Sequence, residues 1–319
     1  MQKIISNLVM MSLPKYRFFD IAANLADAQF SGAYHGKQVH EADLDEVIKR
    51  SQAVGCDRLL VVGGYLEDCK QSFQIAQKNE KFYCTVGVHP CRVSEVENFE
   101  SQEKYIQELE KLIAEFGDKF VAIGECGLDY DRLEFSSKEI QLKHFPFHFD
   151  LAQKYNKPMY LHNRNTGGDF VKMVKEHRHK FPGGVVHSFT GDLEEAKQIL
   201  ELDLFIGING CSLKSKENLD VVKEIPLDKI MLETDCPYCE IRNTHAGANL
   251  IQTKFPNKKA DKFEKGVMVK SRNEPCNIIQ VAEVVAKVKG VPVEELTEAA
   301  YKNTLKLFNL PDPADTTSS

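Results

Sequence analysis

The sequence predicts an α/β fold, a single (β/α)₈ TIM barrel, and two observations support this prediction. Short β-rich runs alternate along the whole chain with longer segments in which apolar residues recur at helical spacing. The chain has 319 residues, and one such barrel typically takes about 250 residues plus insertions. We expect the barrel domain over residues 16–309, an N-terminal extension over 1–15 and a disordered tail over 310–319.

The candidate strands are mostly continuous apolar runs, as expected for parallel strands that are covered on both faces. They are Arg17–Ala23, Arg58–Gly63, Phe82–Val88, Phe120–Gly124, Pro158–His162, Gly184–His187, Leu204–Gly207 and Lys229–Glu233. The alternative is a doubly wound open sheet, which normally carries a glycine-rich phosphate loop after its first strand. The first strand here leads into Asn24-Leu25-Ala26-Asp27, which contains no glycine, so the barrel is favoured.

Helical patterns fill most of the intervals between these strands. In the first of them Leu44, Val47 and Ile48 share one face, and Gly55 is a natural stop. The predicted helices are Asp43–Val54, Tyr105–Phe116, Lys138–Tyr155, Asp169–His179, Leu193–Leu200, Asn277–Lys289 and Val293–Leu307. Strands in strict alternation with helices indicate a parallel sheet.

Composition narrows the class of protein. The formal net charge is −6, so any binding to nucleic acid must use a local basic surface. The nine cysteines are odd in number and scattered, which favours a reducing, intracellular compartment over a disulfide framework. The apolar stretch at the N-terminus is short and is interrupted by Ser6 and Asn7. We therefore expect neither a secretory signal nor association with a membrane.

Ligand-type side chains stand at the predicted strand ends, where α/β barrels build their active sites. The residues at or just after the eight ends are Asn24, Gly63, His89, Glu125, His162, His187, Asn209 and Asp235. Glu125, His162 and His187 follow consecutive strands, so their side chains can converge on one cluster with Asp235. Two imidazoles and two carboxylates suit one or two divalent ions, Zn²⁺, Mn²⁺ or Mg²⁺. We interpret His89 as a group that contacts the substrate.

Eight motifs carry a resemblance to a known family. In chain order they are FFDIAANL, TVGVHP, AIGECGLDYDR, MYLHNR, VVHSFTG, FIGINGCSLK, LETDCPY and RNEP. The chain from residue 16 to 308 thereby resembles the TatD family of metal-dependent deoxyribonucleases, in particular its eukaryotic branch. The resemblance implies a barrel that hydrolyses DNA phosphodiester bonds with ion-activated water. It also implies that Glu125, His162, His187 and Asp235 bind metal and that His89 contacts the phosphate or the leaving group.

The first motif departs from the family pattern. Many members carry an HxH metal motif there, whereas this chain has Ala22 and Asn24 at the two histidine positions. A site with fewer imidazoles and more water favours Mg²⁺ over Zn²⁺. Because the same gap occurs in the branch that the chain resembles most, we interpret it as compatible with activity.

A basic segment follows the eighth predicted strand. It contains Lys254, Lys258, Lys259, Lys262, Lys265, Lys270 and Arg272. We expect this segment to form a loop on the active-site face, where it would meet a DNA backbone. Arg164 and Arg272 are the candidate phosphate contacts beside His89. Glu125, Asp235 and His89 are the candidate catalytic residues.

Two other functions fit the same fold. One is a metal-dependent amidohydrolase or esterase that acts on a small molecule or an aminoacyl-tRNA. The other is a non-catalytic binding protein. DNA is the favoured partner, no obligate protein partner is evident, and a DNA substrate favours the nucleus over the cytoplasm.

The tetrapeptide Cys236-Pro237-Tyr238-Cys239 matches the redox motif of glutaredoxins. A redox motif of this kind belongs near the start of a thioredoxin-like unit, after its first strand. Here it follows the eighth strand, so we expect the two cysteines to fill space beneath a loop.

Overall fold

Eight parallel strands form one continuous sheet in the computed structural model, which describes residues 16–312. In chain order they are β1 (Phe18–Ala23), β2 (Cys56–Val61), β3 (Phe82–Val86), β4 (Phe120–Asp129), β5 (Met159–Arg164), β6 (Gly184–Val186), β7 (Phe205–Ile208) and β8 (Ile230–Leu232). Each strand pairs with the next one along the chain. A parallel bridge between Ala23 and Cys236 joins the two edges. The predicted TIM barrel is therefore confirmed.

Strand β4 is longer than the sequence pattern predicts, because it continues past Gly124 to Asp129. Its register with β5 shifts between Ile123 and Cys126. Gly124 and Gly127 have positive φ angles of 143° and 149°, and a Cβ on either would lie about 2 Å from a β5 carbonyl oxygen. Only glycine allows the two strands to approach so closely. This approach places Glu125 directly beside β5.

Helices surround the barrel, and ten of them lie within residues 16–312. They are α1 (Leu44–Ala53), α2 (Leu66–Gln77), α3 (Gln102–Phe116), α4 (Lys138–His144), α5 (Pro146–Tyr155), α6 (Asp169–His177), α7 (Leu193–Glu201), α8 (Lys216–Glu224), α9 (Ile278–Lys289) and α10 (Val293–Phe308). The helix predicted over Lys138–Tyr155 is in fact two helices. The break falls at Pro146, which lacks an N–H group and is favoured as the first residue of a helix.

The sequence pattern misses helices α2 and α8. The buried face of α2 includes Cys69, Ser72 and Ala76, which are small and partly polar. Ser72 lies inside because its hydroxyl donates a hydrogen bond to the Val62 carbonyl oxygen at 2.9 Å. The buried residues of α8 are only Val221 and Val222. Phe73 shares the buried face of α2 with Cys69 and Ala76, so this helix has an apolar stripe that the sequence reading overlooked, whereas α8 has only a short one.

The barrel interior is closed at the amino ends of the strands. Phe19, near the start of β1, packs against Phe308 of α10 with ring centroids 6.2 Å apart. Tyr301 and Leu305 of the same helix belong to the same buried cluster. The opposite end of the barrel, at the carboxyl ends of the strands, is therefore the end where polar side chains can gather.

The chain end does not follow the predicted domain boundary at residue 309. Residues 310–312 are ordered, and Arg17 donates a hydrogen bond to Asp312 at 2.6 Å. This ion pair overturns the prediction of disorder for these three residues. The predicted N-terminal extension and residues 313–319 of the predicted tail lie outside the described residues. Between residues 16 and 312, none of the helices has the length and apolar character needed to cross a membrane.

Candidate metal centre

Glu125 lies at the centre of a cluster of three histidines. Its Oε1 atom is 2.7 Å from His187 Nε2 and 2.9 Å from His162 Nδ1. These two nitrogens are 3.4 Å apart, and His89 Nε2 lies 3.5 Å from the same carboxylate oxygen. Strands β4 and β5 carry Glu125 and His162, while His89 and His187 follow β3 and β6. Three of the four predicted ligands are thus in direct contact.

Each of the two central histidines also faces a second carboxylate. His162 Nε2 is 3.3 Å from Asp129 Oδ2, at the end of β4. His187 Nδ1 is 3.7 Å from Glu233 Oε1, which is beyond hydrogen-bond distance but within reach of a small ring movement. Metal-binding histidines commonly direct their other nitrogen towards such a carboxylate, which fixes the orientation of the ring. Sequence reasoning missed both Asp129 and Glu233.

Without an ion, the carboxylates hold protons on the histidines. Burial lowers the pKa of His187, but Glu125 and Glu233 outweigh burial and hold that pKa well above its usual range. Burial likewise lowers the pKa of His162, and hydrogen bonds to Asp129 and Glu125 raise it above its ordinary value. Burial raises the pKa of Glu125, yet His187 and His89 keep it well below the usual value. Glu125 is therefore a carboxylate at neutral pH.

His89 differs from the other two histidines because its proton position is defined. Its Nδ1 accepts a hydrogen bond from the Cys91 N–H at 3.0 Å. The hydrogen of the neutral ring therefore lies on Nε2, which points towards Glu125. Burial lowers the pKa of His89 to about 4. At neutral pH His89 is thus an uncharged hydrogen-bond donor at the edge of the cluster.

Asp235 reaches the cluster from the other side of the barrel. It lies three residues after β8, and hydrogen bonds from Asn24 Nδ2 at 2.9 Å and the Cys239 thiol at 3.2 Å hold its carboxylate. Burial raises the pKa of Asp235 to about 6, against the opposing effect of His187. The charges of His187, Glu233 and Glu125 therefore affect the pKa of Asp235. Within residues 16–312, Asp235 makes no hydrogen bond to the three histidines.

The donor set fits a divalent ion. One ligand atom each from His89, Glu125 and His162 lies within 4.8 Å of the other two. The 3.4 Å separation of the His162 and His187 nitrogens is close to that of two nitrogens sharing one ion at bond lengths of about 2.0–2.1 Å. An ion held by these groups replaces the protons that the carboxylates otherwise keep on the imidazoles.

Comparison with known proteins decides the family. The family model described as "TatD related DNase" matches residues 19–309. The chain belongs to the TatD family. It is 41% identical to "Deoxyribonuclease Tat-D" of Schizosaccharomyces pombe, an alignment that covers 92% of this chain and 96% of the relative.

A solved structure and a bacterial relative extend this comparison. The crystal structure of a TatD family hydrolase from Entamoeba histolytica matches with a TM-score of 0.86 and 40% identity, over 92% of this chain and 98% of the other. The "3'-5' ssDNA/RNA exonuclease TatD" of Erwinia billingiae is 31% identical over 92% of this chain and 99% of its own length. The chain is therefore similar to TatD proteins over nearly the whole length of each.

In this TatD chain, Asn24 stands at a position where the resemblance implies a histidine. Its side-chain amide donates hydrogen bonds both to Asp235 Oδ1 and to the Cys236 carbonyl oxygen. Ala22, at the other position of the HxH motif, is buried in the barrel interior. At the position where the resemblance implies a histidine ligand, the first strand therefore contributes a group that orients the Asp235 carboxylate.

The two arginines predicted to bind phosphate have different environments. Arg164 is exposed at the end of β5, and its Nε donates to Asp131 at 2.9 Å. Arg272 is buried, 1% exposed, and both of its terminal nitrogens are paired with Asp43 and Glu274. This placement overturns the prediction that Arg272 contacts the substrate. Its guanidinium instead joins the end of the basic segment to α1 and the loop before α9.

The rest of the basic segment remains at the surface. All six lysines between residues 254 and 270 are exposed. Phe263 stacks on His40, with ring centroids 4.4 Å apart, which holds the segment against the loop that follows β1. Since β1 and β8 are neighbours in the barrel and both loops leave the carboxyl ends of their strands, these lysines belong to the end of the barrel that carries the cluster.

Proposed function

We propose that this chain is a divalent-ion-dependent deoxyribonuclease that hydrolyses phosphodiester bonds in DNA. The convergence of Glu125, His162 and His187 within 3.4 Å of one another supports this proposal most directly. The names of the S. pombe and E. billingiae relatives support the substrate. A DNA substrate in turn favours a nuclear location for the protein.

We assign the ion to Glu125, His162, His187 and Asp235. A bound divalent ion activates water, orients the phosphate and neutralises charge on the leaving oxygen. Mg²⁺ is the proposed ion, because Ala22 and Asn24 leave positions that water can fill. The two imidazoles also suit Mn²⁺ and Zn²⁺, so the experiment compares all three.

The side chains around the ion have separate roles in the proposal. His89 donates from Nε2 to a non-bridging or leaving oxygen of the phosphate, since its neutral ring carries the proton there. Asp235 also orients the attacking water and accepts its proton. Arg164 contacts a phosphate oxygen further along the DNA strand. To do so it leaves its surface ion pair with Asp131 and pairs with the phosphate instead.

The test uses the purified full chain with labelled single- and double-stranded DNA. With Mg²⁺, Mn²⁺ and Zn²⁺ added separately, we expect the fastest cleavage with Mg²⁺, no cleavage in EDTA, and a loss of at least about 100-fold in kcat/KM for Glu125→Gln. Glu110→Gln is the matched control, because this carboxylate pairs with Lys154 on the outer helices. Cleavage that persists in EDTA or in Glu125→Gln at the control rate would refute the proposal.

A further inference from the structure

Cys239 has a thiol partner, but it is not the other cysteine of its own motif. The sulfur atoms of Cys211 and Cys239 are 2.8 Å apart. Both residues are partly exposed, whereas Cys236 is buried. Cys211 opens the short turn after β7 and Cys239 lies in the loop after β8. The close pair therefore joins two neighbouring strand ends.

The backbones hold this pair together independently of the side-chain rotamers. A Cβ placed on Gly210 would lie 2.0 Å from the Cys239 carbonyl oxygen, so the two segments are in backbone contact. Cys239 has a φ angle of 53°, in the left-handed region that non-glycine residues rarely adopt. The chain thus accepts an unfavourable backbone conformation at the residue that meets Cys211.

We propose that Cys211 and Cys239 form a dithiol modification site that a peroxide oxidises reversibly to a disulfide. One sulfur attacks the peroxide, the O–O bond breaks, one molecule of water leaves and a sulfenic acid forms. The second sulfur then displaces the hydroxyl group as a second molecule of water, and the S–S bond forms. The two thiols lose two electrons and two protons, and the peroxide is reduced to two molecules of water.

The site lies against the groups that hold the metal centre. The Cys239 thiol donates to Asp235 Oδ2 at 3.2 Å, and this donor disappears when the disulfide forms. On the other side, Cys211 N–H donates to Asn209, whose amide donates to Glu233 at 2.9 Å. Oxidation therefore acts directly on the Asp235 side of the centre, while Cys211 lies beside the hydrogen bonds that lead to Glu233 on the His187 side. This consequence rests on the proposed function, whereas formation of the disulfide does not.

The first test measures the bond itself. The full chain is treated with hydrogen peroxide, alkylated and digested with trypsin without reduction. We expect the peptide with Cys211 to be linked to the peptide with Cys236 and Cys239, with a loss of two hydrogens that dithiothreitol reverses. The linkage should vanish in Cys211→Ser and Cys239→Ser but persist in Cys236→Ala. A Cys236–Cys239 bond, or separate over-oxidised thiols, would overturn the proposal.

Two further measurements complete the test. Cys91→Ser is the matched control, because Cys91 is also partly exposed but lies against Asp129 and no thiol. It should leave the linkage unchanged. Oxidised protein should bind Mn²⁺ about tenfold more weakly than reduced protein, as is typical when a group that orients a ligand is lost. If the disulfide forms and Mn²⁺ binding is unchanged, the modification site stands and its link to the centre is refuted.

Discussion

Asn24 donates a hydrogen bond to Asp235 across the closing edge of the barrel, at 2.9 Å. Asn24 stands where the family resemblance implies a histidine, so this contact is the one by which the end of the first strand would act on the proposed site. The Asn24 amide nitrogen donates both of its hydrogen bonds, so it offers no lone pair of the kind that an imidazole ligand offers. It can, however, fix the direction of the Asp235 carboxylate.

Removing this amide should therefore weaken ion binding without unfolding the protein. We expect Asn24→Ala to reduce Mn²⁺ affinity about tenfold, because the Asp235 carboxylate loses a fixed orientation. Isothermal titration calorimetry on the metal-free protein measures this change. Asn165→Ala is the matched control, since the Asn165 amide pairs with the exposed Asp131. Equal affinities of the two variants would contradict the role assigned to Asn24.

Glu233 should contribute to activity although it is not one of the four proposed ligands. It accepts hydrogen bonds from Ser188 N–H and Asn209 and faces His187 Nδ1. We expect Glu233→Gln to lower kcat/KM for DNA by about 10- to 100-fold, since His187 loses the carboxylate that orients it. The variant keeps a hydrogen-bonding side chain of the same size, so a thermal melt can separate this effect from misfolding. Activity at the wild-type level would exclude a positioning role.

Much of the site was predictable from the sequence, and the remainder depended on details of register. Glu125, His162 and His187 stand at predicted strand ends, so barrel topology alone brings them together. Asp129 and Glu233 escaped prediction because their contacts depend on how far β4 continues and how the strands pair. Arg272 was assigned wrongly, because a run of lysines does not reveal that the last cation of the segment turns inward to Asp43 and Glu274.

The pH dependence of ion binding follows from the raised pKa values of His187 and His162. An ion must displace the protons on these histidines, so its affinity should fall as the pH is lowered from 8 to 6. We expect about tenfold weaker binding per pH unit for each proton displaced. Calorimetry in two buffers with different ionisation enthalpies counts the protons released. An affinity that is constant over this range would contradict the protonated state of the metal-free cluster.

The same pKa shifts predict that the stability of the metal-free protein falls as the pH rises, whereas the affinity for the ion increases. A histidine with a raised pKa stabilises the fold fully below its unfolded pKa of about 6.5, and this contribution is lost as the pH rises through the folded-state pKa. In EDTA the unfolding free energy contributed by His187 should thus decrease between pH 7 and 9. Denaturant melts of the wild type and His187→Gln at both pH values isolate this contribution.

Substitution of Arg272 should lower the stability of the protein, whereas substitution of Arg164 should lower its activity on DNA. Arg272→Met leaves Asp43 and Glu274 as buried carboxylates with Arg50 as their remaining cation, and breaking such a buried pair costs about 3–5 kcal/mol. Arg164→Ala removes an exposed ion pair, which is worth about 0–1 kcal/mol, but it also removes the proposed phosphate contact. Urea melts should therefore show a large loss of stability for Arg272→Met and almost none for Arg164→Ala. DNA cleavage by the folded protein should slow in Arg164→Ala and not in Arg272→Met. If Arg272→Met instead melted like the wild type and cleaved DNA more slowly, Arg272 would be a substrate contact after all, and the ion pairs with Asp43 and Glu274 would not hold it in the core.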